Sequence, residues 1–234
     1  MRTMASGKVK MVLADVDGTL TSREQVIEVE VLKVIRRVKK RGLIIGLASA
    51  LPYYVLRALS FYLGIRGPLI AENGGVVEVN DKIIILGDGE LVRRGLELLK
   101  ENYGSLVREK SSNKCRLTDL AIERTIPLSE AKQLLNKMGL TIYDTKYAYH
   151  IVVSRIDKGV GLQVLCKELN ISPRSVAAIG DSDADIGLLS AAGVGIAVAN
   201  SSEKLKRVAQ YVASLPYHRG FIEAMEWLER KGFI

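Results

Sequence analysis

The segment VLADVDGTL, Val12 to Leu20, places Asp15 and Asp17 one valine apart at the end of an apolar run, with Gly18 and Thr19 directly behind them. Asp and Gly also serve ordinary strand-to-turn junctions, so the segment alone does not separate a reactive site from a strand end. Its approach is more informative. Val9–Ala14 is apolar without alternation, which predicts a strand buried on both faces of a parallel sheet.

Outward from there the pattern repeats. A helix is predicted over Val26–Arg41, a strand over Leu43–Ala48, a helix over Pro52–Leu63 and a short strand over Leu69–Ala71. Pro52 suits a first helical turn and Gly64 a C-terminal stop. The last third reads alike: helix Val160–Leu169, strand Ser175–Ile179, helix Ala184–Ala191, strand Val194–Ala197, helix Ser202–Val208 and a closing amphipathic helix over Phe221–Arg230. The middle differs. Val76–Val79 and Lys82–Leu86 flank a turn at Asn80-Asp81. Helices over Glu90–Tyr103 and Pro127–Met138 then alternate with strands over Arg116–Thr125, Leu140–Tyr143 and Tyr147–Val153. The expected fold is α/β: a parallel sheet with helices on both faces, built from residues 1–80 and 154–234, carrying an inserted small α+β domain over 81–153.

The 234 residues, 48% hydrophobic and 26% charged, suffice for one sizeable core and a smaller second one. The net charge of +8 favours anionic partners. Its densest run, KVIRRVKKRG from Lys33 to Gly42, lies on a helix whose buried stripe is Val31, Val34, Ile35 and Val38, so these charges form a solvated face. No basic motif interleaved with aromatics points to nucleic acid. Cys115 and Cys166 lack metal-site spacing and are expected as two buried, reduced thiols. MRTMASGKVK has no apolar stretch of the signal-peptide kind, and no segment is long enough to cross a bilayer. A cytoplasmic location with no membrane partner is expected; a homodimer is compatible with the sequence.

Ligands of open parallel sheets bind beyond the carboxyl ends of the strands. Asp15 and Asp17 follow the first strand, Ser49 the second, and Gly180-Asp181-Ser182-Asp183-Ala184-Asp185 a later one, while Lys158 opens a helix behind the inserted domain. Several carboxylates on one edge repel unless a cation neutralises them, and an oxygen-rich set suits Mg²⁺, with Asp15, Asp181 and Asp185 as candidate ligands. Strand alternation would turn Asp15 and Asp17 apart, so the chain must bend between them; Gly18 permits this. Lys158 as a point charge and Ser49 as a donor complement a phosphoryl group. Glu72-Asn73-Gly74-Gly75 reads first as a turn, with Asn73 a candidate substrate contact. Asp183 reads as a helix-start residue. His150 and His218 are not needed for this chemistry, and sequence does not choose which of Tyr143, Tyr147 and Tyr149 faces a leaving group.

VLADVDGTL, Ser49, Lys158 and GDSDADIGLL, in that order, resemble the haloacid-dehalogenase superfamily of phosphohydrolases. ENGG at Glu72–Gly75 and AGVGIAVAN at Ala192–Asn200 resemble its Cof-like branch, whose α/β cap lies between the second and third motifs; small cap and short length are most like archaeal phosphoglycolate phosphatases. The resemblance implies a Rossmann-like core and a phosphatase acting on a small phosphorylated metabolite, 2-phosphoglycolate first. It implies Asp15 as nucleophile forming an aspartyl-phosphate, Asp17 as general acid and then base, and Ser49 and Lys158 holding the phosphoryl oxygens. Mg²⁺ would bind Asp15, the Asp17 carbonyl, Asp181 and Asp185. The inserted cap would set specificity and close on hinges near 80–82 and 153–157. Two departures stand out: Ala50-Leu51 follow Ser49 where relatives carry Gly and a polar residue, and Ala184 replaces an Asn. A sugar-phosphate phosphatase or phosphomutase of the same superfamily shares these motifs. A receiver-like phospho-acceptor module would carry its acidic pair and phospho-accepting Asp in another order and lack the insertion.

Overall fold

The protein is described by a computed structural model covering residues 8–145 and 147–234; Met1–Gly7, which carry most of the N-terminal stretch read above, and Lys146 lie outside the described residues. Strand β1 (Met11–Ala14) is the centre of the architecture. Its successive side chains enter two different cores: Val12 and Ala14 join a cluster with Val31, Ile35 and Phe221, whereas Met11 and Leu13 join Leu162, Leu165 and Leu188. That is why the strand is apolar throughout. Each of the fully buried Met11, Val12 and Leu13 side chains contributes about 1.5–3 kcal/mol.

The chain continues through α1 (Val29–Lys40), β2 (Ile44–Ala48), α2 (Tyr53–Tyr62), β3 (Leu69–Ala71), β4 (Val76–Val79) and β5 (Lys82–Ile85). Helix α1 buries the expected stripe of Val31, Val34, Ile35 and Val38. It starts later than Val26 because residues 22–26 form a turn, in which Ser22 donates its N–H to the Val26 carbonyl (2.7 Å) and Gln25 takes a left-handed φ of 61°. Asn80 and Asp81 are both left-handed, the requirement of a tight hairpin turn, and β5 pairs antiparallel with β4 in the large sheet. Residues 82–85 therefore belong to that sheet and not to the inserted unit where a boundary at 81 would put them.

The insertion contains α3 (Gly89–Tyr103), β6 (Leu120–Ile122), α4 (Leu128–Asn136), β7 (Leu140–Asp144) and β8 (Tyr149–Val153). Its strands form a separate antiparallel sheet in the order β6-β8-β7, packed on its own core of Val92, Leu96, Leu135, Ile142 and Ile151. The strand expected over Arg116–Thr125 is only three residues long. Leu117 and Thr118 give their N–H groups to the Glu72 carboxylate instead of a strand partner. Cys115 is exposed in a 3₁₀ turn over Ser111–Cys115 and Cys166 is buried, so the expectation of two buried thiols holds for Cys166 alone.

The chain returns through α5 (Lys158–Glu168), β9 (Val176–Gly180), α6 (Ile186–Ala191), β10 (Val194–Ala197), α7 (Glu203–Val208), β11 (Tyr211–Val212) and α8 (Tyr217–Arg230). The eight-stranded sheet has the order β11-β10-β9-β1-β2-β3-β4-β5, parallel except for β4 and β5. Residues of α1, α2 and α8 fill the core on one face and those of α5, α6 and α7 the core on the other. The strand order reverses between β1 and β9, and Ala14 lies opposite Leu47 on one side and Ile179 on the other, so three carboxyl ends finish level. Among the described residues no helix is long and apolar enough to cross a membrane.

Candidate active site

The residues that leave β1, β2 and β9 meet at this switch point. After β1 the chain bends at Val16 and turns through residues 17–20, with Leu20 and Thr21 both donating backbone N–H groups to the Val16 carbonyl (2.9 and 3.1 Å). Asp15 and Asp17 consequently open on one cavity of about 530 Å³, which Ser49, Lys158 and Asp181 also line. Gly18 has φ +86°, and a Cβ there would stand 2.6 Å from an Asp181 carboxylate oxygen. Only glycine lets this turn pass so close to the acid.

Asp15, Asp181 and Asp185 are all buried, and each offers a carboxylate oxygen within 4.8 Å of the others'. Lys158, the first residue of α5, is 2% exposed and donates to Asp15 Oδ1 (2.7 Å) and Asp185 Oδ1 (2.6 Å). Burial alone would lower the Lys158 ammonium, but the carboxylates of Asp15 and Asp185 outweigh it and raise its pKa, so the lysine is a permanent cation. Burial pushes the Asp15 carboxyl well up; Lys158 opposes this, while Asp185 and Asp181 add to it. Three carboxylates thus lie close together, and their oxygen-only donor set fits Mg²⁺, a hard cation that would offset their mutual repulsion. Asp185 Oδ2 is already engaged by the N–H groups of Asp181 (3.2 Å) and Ser182 (3.0 Å) and by the Ser182 hydroxyl (3.1 Å), so Oδ1 is the oxygen it can present.

Asp17 is half-buried. Burial raises its pKa, against the lowering influence of Lys158 and His150. Ser49 is buried, and its Oγ accepts the Leu51 N–H (3.1 Å). Asp183 opens the 3₁₀ turn Asp183–Asp185, and its carboxylate is occupied elsewhere, accepting from Ser202 Oγ (2.5 Å) and Lys204 Nζ (2.9 Å). Of the three tyrosines, Tyr147 lines the cavity.

Asn73 is not among the residues on the cavity wall. It is buried behind it, and its Nδ2 donates to Asp119 Oδ2 (3.0 Å) of the insertion. Asp119 also accepts from Arg116 Nη1 on Oδ1 (2.5 Å) and bonds His150 Nδ1 through Oδ2 (3.0 Å). Arg116 Nη1 reaches the Ala50 carbonyl as well (3.0 Å). Beside this group, Glu72, left-handed at φ 51°, accepts N–H groups from Tyr53 (3.2 Å), Leu117 (2.9 Å) and Thr118 (2.7 Å) and the Thr118 hydroxyl (2.9 Å). The ENGG turn thus joins the large sheet to the insertion. Gly74, at φ +103°, admits the start of α5: a Cβ there would lie 2.0 Å from the Asp157 carbonyl oxygen.

Sequence reasoning assigned no role to Arg116, Asp119 or Asn200. Asn200 Nδ2 donates to the Gly18 carbonyl (3.0 Å) and to Asp181 Oδ2 (3.3 Å), tying the turn after β1 to the acid after β9. Its only sequence signal is its place at the end of AGVGIAVAN. His150 offered a signal too, as a lone polar residue inside the apolar run of β8, but its partners lie far away along the chain.

The comparisons with known proteins agree with this geometry. A family model described as haloacid dehalogenase-like hydrolase matches residues 12–113 and 100–225. The phosphoglycolate phosphatase of Methanopyrus kandleri is 38% identical over 211 residues, 86% of this chain and 89% of that protein. The phosphoglycolate phosphatase of Methanospirillum hungatei is 34% identical over 218 residues, 92% of this chain and 94% of that one. A crystal structure of a Thermoplasma acidophilum protein superposes with a TM-score of 0.86 at 24% identity, over 97% of this chain and all of that one, and so shares the fold. The chain belongs to the haloacid dehalogenase-like hydrolase family and is a phosphatase within it.

Proposed function

We propose that this phosphatase hydrolyses 2-phosphoglycolate to glycolate and phosphate, with Mg²⁺ and through an aspartyl-phosphate. The observation that carries the reading is the meeting of Asp15, Asp17, Ser49, Lys158 and Asp181 on one cavity. The names of the archaeal relatives support the choice of substrate. A carboxylate oxygen of Asp15 attacks phosphorus as the bond to the ester oxygen breaks, and Asp17 gives its proton to that oxygen. The raised pKa of Asp17 favours the protonated acid this step needs. Water then attacks the phosphorus of the acyl phosphate, Asp17 takes the water's proton, and Asp15 is regenerated. Lys158 and Ser49 hold the phosphoryl oxygens throughout. Mg²⁺ bound by Asp15, Asp181, the Asp17 carbonyl and Asp185 supplies charge neutralisation for the phosphoryl group.

The insertion, from Gly87 to about Ile156, acts as the specificity cap over this site. Phosphate release from a broad panel of phosphomonoesters with Mg²⁺, followed together with any transfer products, tests the assignment. Highest kcat/KM on 2-phosphoglycolate, with free phosphate as product, is expected. Release from no ester at all, or transfer to a second hydroxyl, overturns it.

A further inference from the structure

The cavity has two chemically opposite walls. The large-sheet side carries Asp15, Asp17 and Asp181, answered by Lys158. The insertion side carries Lys110, Arg116 and His150, and among the described residues no acid of the insertion lines it. Asp119 does not face the cavity; both of its oxygens are taken from behind by Arg116, His150 and Asn73. An ester whose phosphoryl group sits against the sheet wall therefore presents its leaving group to a wall that carries Lys110 and Arg116 and no carboxylate.

We propose that Arg116 and His150 form an anion subsite that receives a carboxylate on the leaving group of the substrate. The proposal rests on the reading above that places the phosphoryl group beside Asp15. The Arg116 side chain is 4% exposed, yet opens on the cavity, and its buried Nε has no hydrogen-bond partner. The ends of Nη1 are fixed on Asp119 and Ala50, so the planar guanidinium is already oriented before a ligand arrives. His150 is oriented in the same way: Asp119 holds Nδ1, leaving Nε2 as the ring's other polar atom. His150 is also close enough to Asp17 to act on its pKa, which places the subsite next to the group that protonates the leaving oxygen. A neutral polyol would find hydroxyl partners in Ser111, Ser112 and Thr145 but no charge to pair with the Arg116 guanidinium.

The test compares kcat/KM for 2-phosphoglycolate, for other carboxylated phosphomonoesters such as 2-phospholactate, and for ethyl phosphate, which has a similar size and no carboxylate. Wild type is expected to prefer carboxylated esters. In Arg116→Gln the ratio of carboxylated to neutral ester should fall about 10- to 100-fold, the loss of one charge-assisted hydrogen bond, and it should appear mainly in KM. Arg116→Lys, which keeps the charge and loses the fork, should fall by less and decides the matter if the glutamine variant does not fold. Equal losses on both ester classes would mark Arg116 as merely structural and overturn the subsite, as would an unchanged ratio. If wild type ignores 2-phosphoglycolate but prefers another carboxylated ester, and Arg116→Gln removes that preference, the subsite stands and the substrate assignment falls. If wild type shows no preference for carboxylated esters, both fall.

Discussion

Two clusters of buried carboxylate lie to either side of the cavity, and they are built differently. On the sheet side, Asp15, Asp181 and Asp185 converge, and Lys158 donates to Asp15 and Asp185. On the insertion side, the single carboxylate of Asp119 is held by Arg116, His150 and Asn73. Burial raises the Asp15 carboxyl and its acidic neighbours raise it further, whereas Arg116 and then His150 outweigh burial and hold Asp119 below its ordinary range. Carboxylates crowded together repel one another, which a bound cation would relieve, whereas a buried carboxylate held by Arg116, His150 and Asn73 loses much if one partner is removed. The same residue type, equally buried, has its pKa raised in one cluster and lowered in the other.

The largest effect should separate the two in activity. Asp15→Asn removes the proposed nucleophile while keeping its shape, and phosphate release should drop to the background of the assay with an unchanged circular dichroism spectrum. Asp17→Asn should cost about 10²- to 10⁴-fold in kcat, the usual size of an acid–base contribution. Normal turnover in Asp15→Asn would break the comparison at its root.

Stability should separate them in the other direction. Asp119→Ala leaves the Arg116 guanidinium buried without its partner, and denaturant unfolding should show a loss of about 3–5 kcal/mol. Asp181→Asn removes one of three like charges, so the metal-free protein should change by less than about 1 kcal/mol, in either direction. Mg²⁺ sharpens this further. Wild type at a hundred times its dissociation constant should gain about 2.7 kcal/mol, a gain that EDTA removes and Asp181→Asn largely lacks. A similar Mg²⁺ response in both proteins would take Asp181 out of the metal site.

The sheet-side cluster was legible in the sequence because each member sits at a strand or helix end within a short motif. Asp15 and Asp17 follow β1, Asp181 follows β9 and Lys158 opens α5, so the strand order alone brings them together. The other cluster was not legible. Asp119 meets a residue 46 positions away in Asn73 and one 31 positions away in His150, and no local pattern encodes either contact. Asn73 was read as a substrate contact because its turn stands at the right sheet edge; its side chain instead turns into the insertion. The turn at Asn80-Asp81 was visible, but Ile83, Ile84 and Ile85 run without alternation, so sequence did not tell which sheet β5 would join.

The smallest expected effect distinguishes two acids within the junction itself. Glu72 lies beside Asp119, and its pKa is raised, by burial first and then by Asp119. Asp119 is lowered. In acid the unfolded chain, with an ordinary Asp near 3.9, takes up the Asp119 proton before the folded one does. The stability Asp119 contributes is therefore complete above that value and lost as pH falls through the lower folded one. Glu72 has the opposite sign: the folded protein binds its proton first, so its contribution is present at low pH and lost as pH rises through the raised folded value. Unfolding free energy measured between about pH 3 and 7 should then show a flatter acid limb in Asp119→Asn and a steeper one in Glu72→Gln. Parallel limbs in the two variants would mean that Asp119 and Glu72 titrate at the junction as they do in water, and their opposite shifts would lose their electrostatic basis.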